Sequence, residues 1–322
     1  MSTCVLCGSD LFSLLFQASD RLYRTTREEF SVVRCGGCGL MRLDPQPTAA
    51  QRRRYYPDTY WFAPGEDTAG RLEEAYRRLV LRDHVRFVEG ALRRAFQAGC
   101  RGPLLDVGCG GGLFLGMMRE RGFRGVGLDV SQEAARSAWQ RHGVPALCGT
   151  LDRAPLGAGT LACVTMFHVL EHLSDPRQFL ITAHRLLMPE GRLVVQVPNA
   201  ASWQARLLGP LWNGVDVPRH LFDFRGCDLE KLVASCGFAV ERRKYFSLRD
   251  NPAGLASSVA PWLDPMARRV RSVSENPATR LCSDLAYLAL VAAALPFTLA
   301  EAACGAGSTI MIEARKVEAA QA

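Results

Sequence analysis

Lysine is almost missing from this chain. Only Lys231, Lys244 and Lys316 stand among its 39 basic residues, so the formal net charge of +7 is carried by arginine. With so much alanine beside it, that bias reads as compositional habit, and no nucleic-acid partner is expected from it. No Gly-Lys-Ser/Thr follows a glycine-rich turn, which excludes a P-loop. The opening MSTCVLCGSD has no basic region leading into an apolar run, so a signal peptide is not expected and a cytoplasmic location is. Repeats and low-complexity tracts are also missing, apart from a short alanine-rich tail. No uncharged run reaches the roughly twenty residues of a bilayer span; the apolar run Leu285 to Ala300 stops at Asp284 and Glu301.

What is present is a chain of 322 residues, 48% hydrophobic, enough for about two domains with a sizeable core. Its centre is PLLDVGCGGGL, residues 103 to 113. Leu104 and Leu105 begin a buried strand that Asp106 closes. Gly108, Gly110 and Gly112 alternate through a tight turn, and Leu113 to Arg121 has helical spacing. Strand, glycine turn and helix N-terminus together make a pocket for a nucleotide-like ligand. Glycine is needed where a Cβ would block the approach of backbone to ligand. A dinucleotide fingerprint wants glycine at position 113, where Leu113 stands. The plain alternative is an ordinary glycine-rich βα turn.

The pattern Asp106-x-Gly108-x-Gly110-x-Gly112 resembles motif I of class I S-adenosylmethionine (SAM) methyltransferases. SAM has no phosphate, so close backbone contact matters more than an anion cradle, and its ammonium suits Asp106. A second strand, Arg124 to Val130, ends in Asp129, about twenty residues on, where doubly wound folds hydrogen-bond a ribose diol. The alternative for Asp129 is a helix N-cap, a role open to Ser131 as well. The resemblance extends the cofactor contacts to Cys109, Val130 and Phe167.

The cysteines near the N-terminus are ordered. Cys4-x-x-Cys7 and Cys35-x-x-Cys38 form two knuckles, each followed by glycine, which can give four thiolates to a tetrahedral Zn²⁺. Leu11 to Val33 alternates as a β-hairpin. The whole resembles a zinc ribbon with a structural metal; a redox pair or chance spacing are the alternatives. The other cysteines, irregularly spaced, suit a reducing compartment. After Pro45 and Pro47 come a short helix and an aromatic cluster, Tyr55, Tyr56, Tyr60 and Trp61. In similar methyltransferases this stretch lies beside the active site; otherwise it packs the ribbon onto the core. Residues 70 to 98 read as one long amphipathic helix, with Leu72, Tyr76, Leu79, Val80, Val85, Phe87 and Val88 on its buried side.

Further along, Ser131 to His142 is a helix, Pro145 to Thr150 a third strand and Leu161 to Phe167 a fourth. The following FHVLEHLSDP contains His168-x-x-Glu171-His172, which matches an inverted zinc-protease motif only if it lies on a helix. At a strand end it resembles instead a phrase common in small-molecule SAM methyltransferases. There His168 lies near the transferring methyl, and Glu171 and His172 tie the loop down. A helix from Asp175 to Met188 leads to strand five, Gly191 to Val197. The loop LWNGVDVPRHLFDF, residues 211 to 224, should cover the acceptor and supplies His220 as the foremost candidate for a general base, with His168 second. Strand six is Phe238 to Phe246 and strand seven Ser308 to Ala314, separated by a helical insert. Leu285 to Ala300 is read there either as a buried helix or as an apolar surface meeting a membrane or a lipid-like acceptor, with Arg268, Arg269, Arg271 and Arg280 near anionic head groups.

The resemblance thus implies an α/β fold: a doubly wound seven-stranded sheet of order 3-2-1-4-5-7-6 with strand seven antiparallel, an N-terminal zinc ribbon and a helical insert before the last strand. The expected divisions are 1–62 (ribbon and linker), 63–100 (connecting helix), 101–250 (SAM core) and 251–322 (insert and final strand). The implied activity is methyl transfer from SAM to a small-molecule, sugar or lipid-like acceptor. Sugar-nucleotide C-methyltransferases are similar, but their Tyr-His-Glu-His-like run is Val217-Pro218-Arg219-His220 here. An RNA methyltransferase or a degenerate SAM-fold binding protein are the alternatives.

Overall fold

A computed structural model describes residues 3–57 and 68–317. The N-terminal hairpin forms as expected, from β1 (Phe12–Ser19) and β2 (Glu29–Cys35), and β3 (Met41–Leu43) adds to it. After α1 (Ala49–Arg54), capped by Thr48, the expected single helix is two: α2 (Thr68–Val80) and α3 (Arg82–Gln97), broken at Leu81. Only the second has its apolar side buried, with Val85 and Val88 at zero exposure. Leu72, Tyr76 and Leu79 on α2 face outward, so amphipathic spacing alone did not place them inside. Tyr60 and Trp61 lie outside the described residues.

The core then alternates strand and helix: β4 (Leu104–Val107), α4 (Leu113–Glu120), β5 (Gly125–Asp129), α5 (Gln132–His142), β6 (Ala146–Cys148), β7 (Leu161–Phe167), α6 (Pro176–Leu186) and β8 (Leu187–Pro198). There follow α7 (Trp203–Leu208), the two-residue β9 (Phe222–Asp223), α8 (Gly226–Ala234) and β10 (Phe238–Lys244). Three helices, α9 (Asn251–Val259), α10 (Pro265–Val270) and α11 (Pro277–Ala303), precede β11 (Thr309–Lys316).

Seven of these strands form one sheet, β6-β5-β4-β7-β8-β11-β10, parallel except for β11, which runs antiparallel to both neighbours. This is the expected 3-2-1-4-5-7-6 order. Alternation along each strand makes two cores. Leu104, Cys163, Val194 and Met311 pack under α3 and α4, while Leu105, Val164, Val195 and Ile312 pack under α6 and α8. The second core runs on without a break into the ribbon through Cys4, Val32, Leu43 and Phe222.

That continuity has a backbone counterpart. The small sheet has four strands, β1-β2-β3-β9, and the fourth comes from the loop after β8. Met41 pairs with Asp223 and Arg42 with Phe222. The ribbon therefore borrows an edge strand from the chain beyond β8.

The insert differs from the packed-helix expectation. The apolar helix extends from Pro277 to Ala303, and that element is long and apolar enough to cross a membrane by length and composition. Its outer side is open: Leu281, Leu285, Leu288 and Leu299 are 46–59% exposed. Its inner side is anchored. Tyr287 Oη meets Ser257 Oγ at 2.9 Å, and buried Glu301 accepts from the Gln204 backbone and side chain, each at 2.9 Å. The arginines just before it are partly engaged elsewhere. Arg268 is buried against Glu275 and Asp284, and Arg271 donates to the carbonyls of Arg21 and Leu22, which leaves Arg280 exposed.

Candidate functional site

The glycine turn sits at the carboxyl end of β4, where open α/β sheets bind ligands. Gly108, Gly110 and Gly112 have φ of 73, 52 and 78°, a region that favours glycine. Their surroundings divide the work. A Cβ on Gly108 would strike Val169 and one on Gly112 would strike Ala138, so these two are required by packing. A Cβ on Gly110 would meet nothing within 4 Å, so this residue fronts open space. Cys109 packs its thiol inward against Gly127.

Asp129, 3% exposed, ends β5 and holds the turn. Its Oδ2 accepts from Gly110 N and its Oδ1 from Ser131 N, both at 2.9 Å. Ser131 is the N-cap of α5, accepting from Ala134 N, so Asp129 is not needed for that role. Each carboxylate oxygen keeps a lone pair for a hydroxyl of a ribose. Burial raises the Asp129 carboxyl above its ordinary value. Asp106 lies deeper, with Oδ1 accepting from Thr165 Oγ1 at 2.6 Å. Burial, aided by the charge of Asp129, raises it to about 7, and a cation arriving in the cleft would draw that proton off. Val130 is exposed beside the turn, and Phe167 stands edge-on to His84 and Phe114 at the end of β7.

Beyond Phe167 the chain turns sharply. His168 has φ of 55°, a left-handed conformation for a non-glycine residue, and Leu170–His172 is a single 3₁₀ turn. The two histidines of His168-x-x-Glu171-His172 therefore do not share a helix face. His168 faces Glu171 Oε1 with Nδ1 at 3.1 Å, while its Nε2 lies 3.0 Å from Gln196 Nε2 and 3.5 Å from Asp250 Oδ1. Burial opposes charge on this ring, yet Asp250 and Glu171 raise it to about 9. The charged ring, a poor base at neutral pH, requires the Gln196 amide to turn its buried and otherwise unpartnered Oε1 toward Nε2.

His172 and His220 come together instead, their rings T-shaped with centroids 4.6 Å apart. His220 Nδ1 donates to Gly214 O at 2.8 Å, and its Nε2 lies 3.9 Å from Asp216 Oδ2. Burial and the nearby His220 lower His172 to about 4. Behind them, fully buried Arg219 binds Asp216 and Asp20, and its guanidinium lies over Tyr23. Tyr56, from the aromatic stretch, reaches His172 Nδ1 at 3.1 Å. Asp20, Asp216, Asp223, Gln196 and Asp250 belong to this neighbourhood and carried no motif; only their proximity in the fold reveals them.

In the ribbon, Cys4 Sγ lies 3.6 Å from Cys38 Sγ and Cys7 Sγ 3.5 Å from Cys35 Sγ, with all four within 4.8 Å of one another. Tetrahedral Zn–S bonds of about 2.3 Å place sulfurs about 3.8 Å apart, so the cluster fits that ion. Gly8 and Gly39 follow the pairs with φ of 76 and 81°, turning each knuckle back. Burial pushes Cys35 up, but N–H groups of Cys38 and Gly37 and its thiol neighbours bring it down to about 6, while Cys38 is raised.

A family model described as a methyltransferase domain matches residues 73–242. An uncharacterised protein of a Streptomyces fradiae transposon is 31% identical over 51% of this chain and 51% of its own length. A probable SAM-dependent methyltransferase of Mycolicibacterium smegmatis is 28% identical over 57% of this chain and 61% of its own. The ubiquinone biosynthesis O-methyltransferase of Caulobacter vibrioides is 34% identical over 34% and 45%. The chain spans about half the length of these curated relatives. Among solved structures, geranyl diphosphate C-methyltransferase from Streptomyces coelicolor aligns over 81% of this chain and 88% of its own, at 16% identity and a TM-score of 0.49. A SAM-dependent methyltransferase from Archaeoglobus fulgidus aligns over 78% and 100%, at 19% identity and a TM-score of 0.48.

Proposed function

The chain belongs to the methyltransferase domain family, and on that premise we propose that it methylates a small-molecule acceptor held between the glycine turn and the ribbon-side loop. The carrying observation is the pairing of an open cradle at Gly110, closed behind by Asp129, with a histidine wall from residues 168–220. SAM, when bound, supplies an electrophilic sulfonium methyl. Gly110 gives the space, Asp129 holds a ribose and Asp106 balances positive charge. His220 keeps Nε2 unprotonated because Nδ1 donates to Gly214, and Asp216 steadies the imidazolium formed when that ring takes a proton from a hydroxyl acceptor. His168 is already charged and serves to position Glu171 and the turn. Orientation of acceptor and methyl carries much of the rate.

Relatives named as a ubiquinone biosynthesis O-methyltransferase and a malonyl-[acyl-carrier protein] O-methyltransferase support methyl transfer to an oxygen of such an acceptor. Four cysteines holding one structural zinc complete the reading. We also propose that α11 meets the surface of an anionic membrane from the cytoplasmic side. Its uncharged outer stripe is flanked by exposed Arg280 at one end and by exposed Arg206 on α7, whose neighbour Trp203 packs on Phe297 of α11. Anchoring through Tyr287 and Glu301 favours lying on the bilayer over crossing it.

The test is SAM calorimetry followed by turnover with a panel of hydroxylated small molecules. Saturable SAM binding is expected, and His220→Ala should retain it while losing about 10²-fold or more in turnover. Absence of SAM binding by the folded protein would end the proposal.

A further inference from the structure

Beside the acceptor space, three donor atoms converge with no proton between them. His172 Nδ1 lies 3.0 Å from Arg219 O, and His220 Nδ1 lies 2.8 Å from Gly214 O. A carbonyl only accepts, so each Nδ1 carries the hydrogen and each Nε2 keeps a lone pair. Neither Nε2 makes a hydrogen bond among the described residues. Glu171, 1% exposed, uses Oε1 for His168 and leaves Oε2 buried with no partner. One ring nitrogen of each histidine and a carboxylate oxygen of Glu171 all lie within 4.8 Å of one another. Nearby Asp223, also buried, has Oδ1 without a partner. Buried polar atoms left like this are costly unless something fills the gap.

We propose that Glu171, His172 and His220 bind a divalent transition-metal ion, with an open coordination position toward the acceptor. Two imidazole nitrogens and one carboxylate oxygen suit zinc, manganese or iron, and three protein ligands with a vacant fourth position mark a catalytic-type site. Ligand bonds of about 2.1 Å gather these atoms after a small side-chain adjustment. Each histidine already has the outer partner that metal-binding imidazoles use, a backbone carbonyl on the far ring nitrogen. Sequence pattern pointed elsewhere: the second histidine of the site is not His168 but His220, brought in from 48 residues beyond Glu171-His172 by the loop that feeds β9. The inference rests on the acceptor-pocket reading only for its use, which is to hold and polarise an acceptor oxygen; with the ion bound, His220 Nε2 is a ligand, and this polarisation takes the place of proton transfer to that nitrogen.

The probe is Mn²⁺, which thiolates of the ribbon bind poorly. Spin-resonance titration of the full chain with its ribbon zinc in place should give one bound Mn²⁺, with thermal stabilisation on saturation. Glu171→Gln and His220→Asn should weaken it by more than the roughly 10–100-fold that loss of an outer partner costs. The two variants guard against one of them misfolding, and near-ultraviolet dichroism checks both. No saturable binding of Mn²⁺, Co²⁺ or Zn²⁺ beyond the ribbon's ion, or binding indifferent to both substitutions, overturns the site. SAM calorimetry on the same samples separates the two ideas: SAM binding without metal binding removes the ion alone, and metal binding without SAM removes the methyl-transfer reading alone.

Discussion

Arg219 and Asp20 form a buried ion pair across 199 residues of chain, Nη2 to Oδ1 at 2.6 Å, with both side chains at zero exposure. Asp216 shares the same guanidinium at 2.7 Å, and Tyr55 lends a backbone carbonyl. One cation thus fixes the end of the ribbon's first strand to the loop that presents His220. Breaking a buried ion pair costs about 3–5 kcal/mol, and the remaining pair with Asp216 puts Asp20 at the lower end of that range. Asp20→Ala should therefore lower unfolding free energy by that order in denaturant titration. A loss under about 1 kcal/mol would show that the pair is not buried in solution.

The cofactor prediction concerns Asp129. Asp129→Ala removes the acceptor for Gly110 N–H and any hydrogen bond to a ribose, and SAM affinity should drop by about 1–3 kcal/mol. Unchanged affinity in a folded variant would remove the carboxylate from the binding site.

For the ribbon, purified protein should contain zinc, and Cys35→Ser should lose it. Because β9 is part of the same sheet, amide exchange in that variant should rise at Phe222 and Asp223 as well as in β1–β3. Exchange confined to residues before 44 would mean that the two parts fold independently.

The pH dependence follows from His168. Its value of about 9 stands above the roughly 6.5 of an unfolded histidine. The stability its charge contributes is complete below about pH 6.5 and lost as pH rises through 9, an effect of order 1–3 kcal/mol. Denaturation midpoints should fall across that window in the wild type, and the fall should be smaller in His168→Gln. Identical slopes would show that the ring is neutral throughout.

At α11, the protein should co-sediment with anionic liposomes and lose this with added salt. Leu285→Asp with Leu288→Asp should abolish it and leave thermal stability nearly unchanged, since both positions are exposed. Failure of the wild type to co-sediment, or unfolding of the double variant, would refute membrane contact.

Local pattern carried most of this fold into view. The glycine turn, the β7 strand from Leu161 to Phe167 and the two cysteine pairs were readable because each is specified within a few residues. What local pattern missed depends on packing between distant segments. The helix break at Leu81 and the outward turn of Leu72 and Tyr76 follow from what α2 finds beside it, not from its spacing. Asp250 reaches His168 from a turn beyond β10 that no motif marks. The apolar helix is longer than its uncharged stretch, because Arg268 neutralises Asp284 and the helix starts two turns earlier.

The loan of β9 to the ribbon sheet bears on how such a protein diversifies. A strand that closes one sheet and also leads out of the loop carrying His220 cannot change on one side alone. Met41 to Asp223 and Arg42 to Phe222 tie residues 209–224 to the ribbon as a single structural unit. New acceptor preferences in this lineage should arise by exchanging loop and ribbon as a pair, and chimaeras that transplant the SAM core with a foreign ribbon should bind cofactor yet lose their choice of acceptor.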